Sequence, residues 1–150
     1  MTIEKPKNKK IVGAALRLLA RRDMSRHEFL QKLNQYEYPV DESEQVADWC
    51  IQEGFLNEQR FIEAQQRRLS QRYGARRVAA TLKQKGITVD DTKIVVETLK
   101  ETELERAREI WSRKFSPAID PKEKAKQIRF LMYRGFGYDT IKKVMDNIDK

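Results

Sequence analysis

The chain of 150 residues carries one cysteine and one histidine. With Cys50 alone, no internal disulfide forms, which fits a reducing compartment. With His27 as the only imidazole, a zinc site lacks its usual ligands. No apolar run approaches the roughly 20 residues that a membrane span needs. The start MTIEKPKNKK is basic but leads into the amphipathic IVGAALRLLARR, with no signal-peptide core or cleavage site. A cytoplasmic location, away from membranes, is expected. Walker loops and dinucleotide fingerprints are also missing, as is any stretch that reads as a strand.

What is present is charge and helical periodicity. Hydrophobic residues make up 39% and charged residues 36%, with a formal net charge of +8 and a pI near 9.6. The apolar residues recur at three and four, so the chain reads as folded and all-α rather than disordered. Ile11, Ala14, Ala15, Leu18 and Leu19 share one helical face. Ser25 and Glu28 form a capping-box pattern ahead of a second helix. Pro39 breaks the chain, and a third helix carrying Val46, Trp49 and Cys50 stops at Gly54. The same grammar continues to the end and predicts nine short helices.

LNQYEY begins at Leu33, LKQKGI at Leu82 and LMYRGF at Leu131, two successive intervals of 49 residues. Val46, Ile94 and Ile141 follow as the next apolar positions. Three helices per repeat is the natural unit, because a helical hairpin buries its apolar stripe only when a third helix covers it. The expected organisation is a basic tail at 1–10 and repeats at 11–56, 57–102 and 103–150. An array of that kind is expected to be longer than a compact sphere. Gly86 and Gly135 suit left-handed helix ends, whereas Glu37 in the first copy is expected to turn differently.

Chemistry for catalysis is thin. His27, between Arg26 and Glu28, reads as a surface or boundary side chain. Asp90 and Asp91 open a helix, where carboxylates cap the end and oppose its dipole. No catalytic residue, metal site or cofactor is expected, and the chain reads as a non-enzyme.

The positive charge is unevenly placed. RRLSQRYGARRV, residues 67–78, holds five arginines and no acid, and no Asp or Glu occurs between Glu63 and Asp90. Arg67, Arg68, Arg72, Arg76, Arg77, Lys83 and Lys85 stand there uncompensated. Net charge is 0 over residues 1–54, +4 over 55–102 and +4 over 103–150. In KEKAKQIRFLMYRG the inner face is assigned to Ala125, Ile128, Leu131 and Met132. Lys122, Lys126, Arg129, Phe130 and Tyr133 are left on the other side, where aromatics among cations suit base stacking or an interface anchor. A like-charged cluster repels itself, and an anionic partner relieves that. Composition and spacing leave open a general basic DNA- or RNA-binding helical protein, or a nucleic-acid enzyme using a carboxylate-bound metal.

Three stretches in order, EGFLNEQRF (Glu53 to Phe61), RYGARRVAATLKQKGI (Arg72 to Ile87) and KAKQIRFLMYRGF (Lys124 to Phe136), resemble the RecX family of bacterial regulators of the RecA recombinase. The resemblance spans about Ile11 to Ile148. It implies three tandem three-helix repeats in a curved, elongated monomer. It also implies a partner, the RecA filament on DNA, with single- or double-stranded DNA bound directly as a second expected partner, and a role in recombination and the SOS response. Such a protein lies in the filament groove and opposes filament growth, ATP hydrolysis and strand exchange. Carried over by position, the candidate contacts are Arg67, Arg68, Arg72, Arg76, Arg77, Lys83, Lys122, Lys126, Arg129, Phe130 and Tyr133.

Overall fold

A computed structural model describes residues 2–148. Those residues form nine α-helices and no strand. By Cα proximity the chain divides into two compact units, Met1–Ala64 with Lys85–Ile87, and Gln65–Gln84 with Thr88–Lys150.

The first unit contains α1 (Lys9–Arg21), α2 (Arg26–Gln35) and α3 (Val40–Gln52), each packed against the other two. Asn8 caps α1 by accepting the Lys10 and Ile11 amides, so Lys9 and Lys10 are helical rather than tail. Ahead of them, the Gln52 side chain ties down the backbone of Ile3. Ile11, Ala15, Phe29, Leu33, Val46 and Cys50 make a fully buried core. Helix α4 (Glu58–Ser70) begins in this unit and ends in the second.

The second unit contains α5 (Ala75–Gln84) and α6 (Val89–Lys100), which pack as a hairpin, then α7 (Glu103–Lys114), α8 (Pro121–Tyr133) and α9 (Tyr138–Ile148). Helix α9 lies on α7 and α8. Ala107, Ile110, Leu131, Phe136, Ile141, Val144 and Met145 form their core. Burial of a leucine such as Leu131 contributes about 1.5–3 kcal/mol.

The 49-residue recurrence is a recurrence of buried positions. Leu33, Leu82 and Leu131 are all fully buried, as are Phe29, Val78 and Gln127 four residues earlier. The next common core position is Val46, Val95 and Val144, not the predicted Ile94, which is 65% exposed. Ile94 and Val95 are neighbours, so periodicity alone misplaced the face by one residue. In α8 the inner face likewise differs from the predicted one. Ala125 and Ile128 are half-buried and Met132 is 59% exposed, while Gln127 lies inside. A polar side chain is tolerated there because both ends of its amide are used. Its Nε2 donates to the Ser116 carbonyl at 2.9 Å, and its Oε1 accepts from Trp111 Nε1 at 2.9 Å.

The turn after each middle helix also recurs. Gly86 (φ +84°) and Gly135 (φ +92°) are left-handed as expected, but Glu37 (φ +65°) turns the same way, contrary to the sequence expectation. The repeat geometry overrides the side chain's preference, at a cost of about 1–2 kcal/mol for a non-glycine residue. Glu37→Gly is therefore expected to stabilise the chain. Glycine's larger unfolded-state entropy offsets part of the relief and leaves a gain of up to about 1 kcal/mol. Thermal melting measures it, and a loss of stability would show that the Glu37 side chain contributes more than its strain costs.

A buried carboxylate organises the first unit. Ser25 Oγ accepts the Glu28 amide at 3.1 Å and donates to the Lys85 carbonyl. The Glu28 side chain accepts from Arg22 at 2.8 and 2.9 Å and from Lys85 Nζ at 3.2 Å. Lys85 thus has a counter-ion and drops out of the uncompensated set. The Arg22 hydrogen bonds hold Glu28 below its ordinary value of 4.5, against the opposing effect of burial. As pH falls, the unfolded chain takes up this proton before the folded one does. The contribution is complete above about pH 4.5 and is lost as pH drops through the lower folded value. Glu28→Gln should melt well below the parent at neutral pH, with the gap closing in acid. A gap independent of pH would contradict this.

Candidate cationic interface

The candidate residues lie on α4, α5 and α8 and in the turns beside them. Arg67 and Arg68 occupy the last turn of α4 and are exposed, with Arg68 donating to Gln65 at 2.7 Å. Arg76 and Lys83, seven residues apart, share an exposed face of α5. Lys122, Lys126 and Arg129 recur at four and three along exposed α8. Among the described residues, none of these seven nor Arg72 or Arg77 has an ion-pair partner.

The structure draws a subset of them together. The Arg77 guanidinium lies 4.2 Å from the Tyr73 ring centroid and 5.1 Å from that of Tyr133, and donates to the Tyr133 carbonyl at 3.1 Å. Arg134 stands 5.0 Å over Phe130 and 5.5 Å over Tyr73 while donating to the Arg72 carbonyl at 3.1 Å. Lys114 lies 4.5 Å over Phe130, which meets Phe115 edge-on at 5.1 Å. Cations and rings alternate, each cation-ring pair contributing about 0.5–1 kcal/mol where exposed. Phe130 is partly buried against the α7–α9 core rather than free, whereas Tyr133 is 75% exposed. Arg77, a member of the uncompensated run, is half-buried between its two rings. Lys83 and Arg67 are not part of this cluster.

Two glycines allow the cluster to form. The Gly74 amide donates to the Arg134 carbonyl at 2.7 Å and the Arg76 amide to the Gly135 carbonyl at 3.3 Å. A Cβ at Gly74 would sit 2.5 Å from the Gly135 oxygen, and one at Gly135 would sit 2.6 Å from Arg77 Cβ. The start of α5 therefore rests directly on the end of α8, which is what brings Tyr73 and Arg77 to Tyr133 and Arg134.

Beneath that contact lies a buried ion pair. Arg106 donates to the carbonyls of Ser70 (3.0 Å), Tyr73 (2.9 Å) and Leu99 (3.1 Å) and to Glu103 at 3.1 Å. Glu103 in turn accepts the Ala75 amide at 3.2 and 3.3 Å. One guanidinium thus closes the ends of α4 and α6, and its carboxylate caps α5. Burial pulls Arg106 below its ordinary value, with Glu103 opposing. Sequence reading missed Tyr73, Lys114 and Arg134 as members of the surface and Arg106 as its support. The available signal was the pair of RYG and YRG triplets at 72–74 and 133–135.

Family models described as the first and the third three-helix domain of RecX match residues 13–50 and 101–145. The regulatory protein RecX of Leptothrix cholodnii is 40% identical over 134 residues, covering 89% of this chain and 85% of that protein. The chain belongs to the RecX family. The RecX protein of Herminiimonas arsenicoxydans is 38% identical, with 87% of each chain covered. The crystal structure of RecX from Lactobacillus salivarius superposes with a TM-score of 0.82 over 93% of this chain and 95% of that one. At 20% identity, that likeness shows the shared RecX fold. The RecX domain models fall on α1–α3 and α7–α9, in agreement with the three-helix grouping read from the sequence. The Leptothrix and Herminiimonas relatives are regulatory proteins by name. Among the described residues, no group of three or more His, Cys, Asp or Glu side chains is placed to hold a metal ion. No described helix is long and apolar enough to cross a membrane.

Proposed function

We propose that this RecX-family chain acts as a cytoplasmic monomer that binds the RecA filament on DNA. It opposes filament growth, ATP hydrolysis and strand exchange. The repeats proposed to do so are residues 11–56, 57–102 and 103–150. One observation carries this reading: an acid-free run of arginines, all but Arg77 exposed, along α4 and α5 adjoins a set of cations held over aromatic rings at α8. A nucleoprotein filament presents phosphate together with acidic protein surface, and such a face complements both. No catalytic group is required, because a bound chain that spans or caps protomers hinders assembly and the motions that accompany turnover.

Titrating the protein into RecA ATPase assays on single-stranded DNA tests this. Inhibition that weakens as salt rises is expected, since the contacts are exposed charges screened over about 10 Å at 0.1 M salt. Binding to DNA alone, followed in parallel, separates a filament regulator from a simple DNA binder. Full DNA binding without any effect on RecA would overturn the proposal.

A further inference from the structure

A second cationic region lies in the first unit, hidden by the neutral charge of residues 1–54. No acid occurs between Glu4 and Asp23, a span with seven lysines and arginines, and the acids outside that span, four of them on α3, supply the balance. On α1, Lys10, Arg17 and Arg21 stand seven and four residues apart. That spacing aligns them on one face over about 16 Å. All three are exposed. Arg17 and Arg21 have neither ion pair nor hydrogen bond among the described residues, unlike Arg22, which is held by Glu28.

This face opens into a cleft of about 420 Å³ lined by Ala14, Arg17, Leu18, Arg21, Tyr36 and Tyr38. Ala14 and Leu18 give it an apolar floor. Tyr38 is steadied by packing on the core and by its hydroxyl, which donates to the Lys10 carbonyl at 3.4 Å. Tyr36, at the end of α2, is 58% exposed. Glu37 lies between them in sequence but is exposed and has no ion-pair partner among the described residues, so water and salt screen its charge.

We infer that this cleft binds single-stranded nucleic acid, with Arg17 and Arg21 on successive phosphates and Tyr36 stacking on a base. Arginines one helical turn apart lie about 6 Å apart along the axis, on the order of the phosphate spacing of an extended strand. A cationic track beside aromatic faces is the usual construction for sequence-tolerant strand binding. An acidic peptide would use the arginines and leave the tyrosine faces without a partner. The inference concerns a different surface from the α4, α5 and α8 face, and its test contains no RecA, so either proposal fails without the other.

The test measures anisotropy of a fluorescein-labelled thymidine 12-mer with the full chain across a salt series. Arg17→Gln with Arg21→Gln should weaken binding at least tenfold and reduce the slope of log affinity against log salt by about 1.4, or 0.7 for each lost phosphate contact. Tyr36→Ala should weaken binding several-fold with the slope unchanged, and an oligomer carrying 5-iodouracil should photocross-link to Tyr36 in the unmodified protein. A uridine 12-mer run alongside identifies whether DNA or RNA is preferred. Absence of salt-dependent binding by the parent would overturn the inference. So would variants that bind like the parent, or an oligoglutamate 12-mer that competes equally while no cross-link forms.

Discussion

Replacing Arg106 by alanine is expected to destabilise the chain by about 3–5 kcal/mol, because removing one partner of a buried ion pair leaves the other charged and unpaired. The Arg106 side chain is 15% exposed and answers three carbonyls and Glu103. Alanine returns none of those bonds. Arg106→Lys is expected to recover only part of the loss, since an ammonium presents three donors from a single point where the guanidinium presents a planar fork. Denaturant titration reads both. Because Glu103 also caps α5, the Arg106→Ala chain should in addition lose the ordered Tyr73–Arg77 pair. A midpoint shift equivalent to less than about 1 kcal/mol would mean that the network is water-exposed in solution and that the helix ends are closed in another way.

Gly135→Ala carries the second large effect, expected at about 2–5 kcal/mol from left-handed strain and overpacking together. The new methyl would meet Arg77 Cβ at 2.6 Å, on a backbone at φ +92°. Gly74→Ala probes the same contact from the other side, where the obstacle is the Gly135 carbonyl at 2.5 Å. Either variant should separate the start of α5 from the end of α8. Gly137→Ala is the control, because a Cβ there meets nothing within 4 Å. Equal stability of all three variants would contradict the direct backbone contact.

The repeat was legible because core positions obey a simple rule: Leu33, Leu82 and Leu131 are the same residue type, equally spaced and equally buried. What periodicity could not resolve were choices between adjacent apolar residues. Ile94 and Val95 are alike to a hydropathy pattern, and only packing selects Val95. Gln127 was invisible because a polar residue enters a core only when specific partners satisfy it, and Trp111 and Ser116 lie 16 and 11 residues away. Glu37 shows the opposite limit. A residue poorly suited to φ > 0 was read as evidence for another turn, yet the surrounding repeat imposes the same one. The basic surface was legible as a run of charge. Its internal order was not, since Arg77, Tyr133 and Arg134 meet through two glycines 61 residues apart.

The central claim is that the uncompensated cations of α4 and α5 face the RecA filament, and the Arg67→Ala, Arg76→Ala, Lys83→Ala triple variant tests it most directly. These side chains are exposed and without ion pairs among the described residues, so melting should stay within about 0.5 kcal/mol of the parent. With each exposed contact contributing up to about 1 kcal/mol, the folded variant should require roughly tenfold more protein to inhibit RecA ATPase on single-stranded DNA. Undiminished inhibition by a variant that melts like the parent would contradict the account.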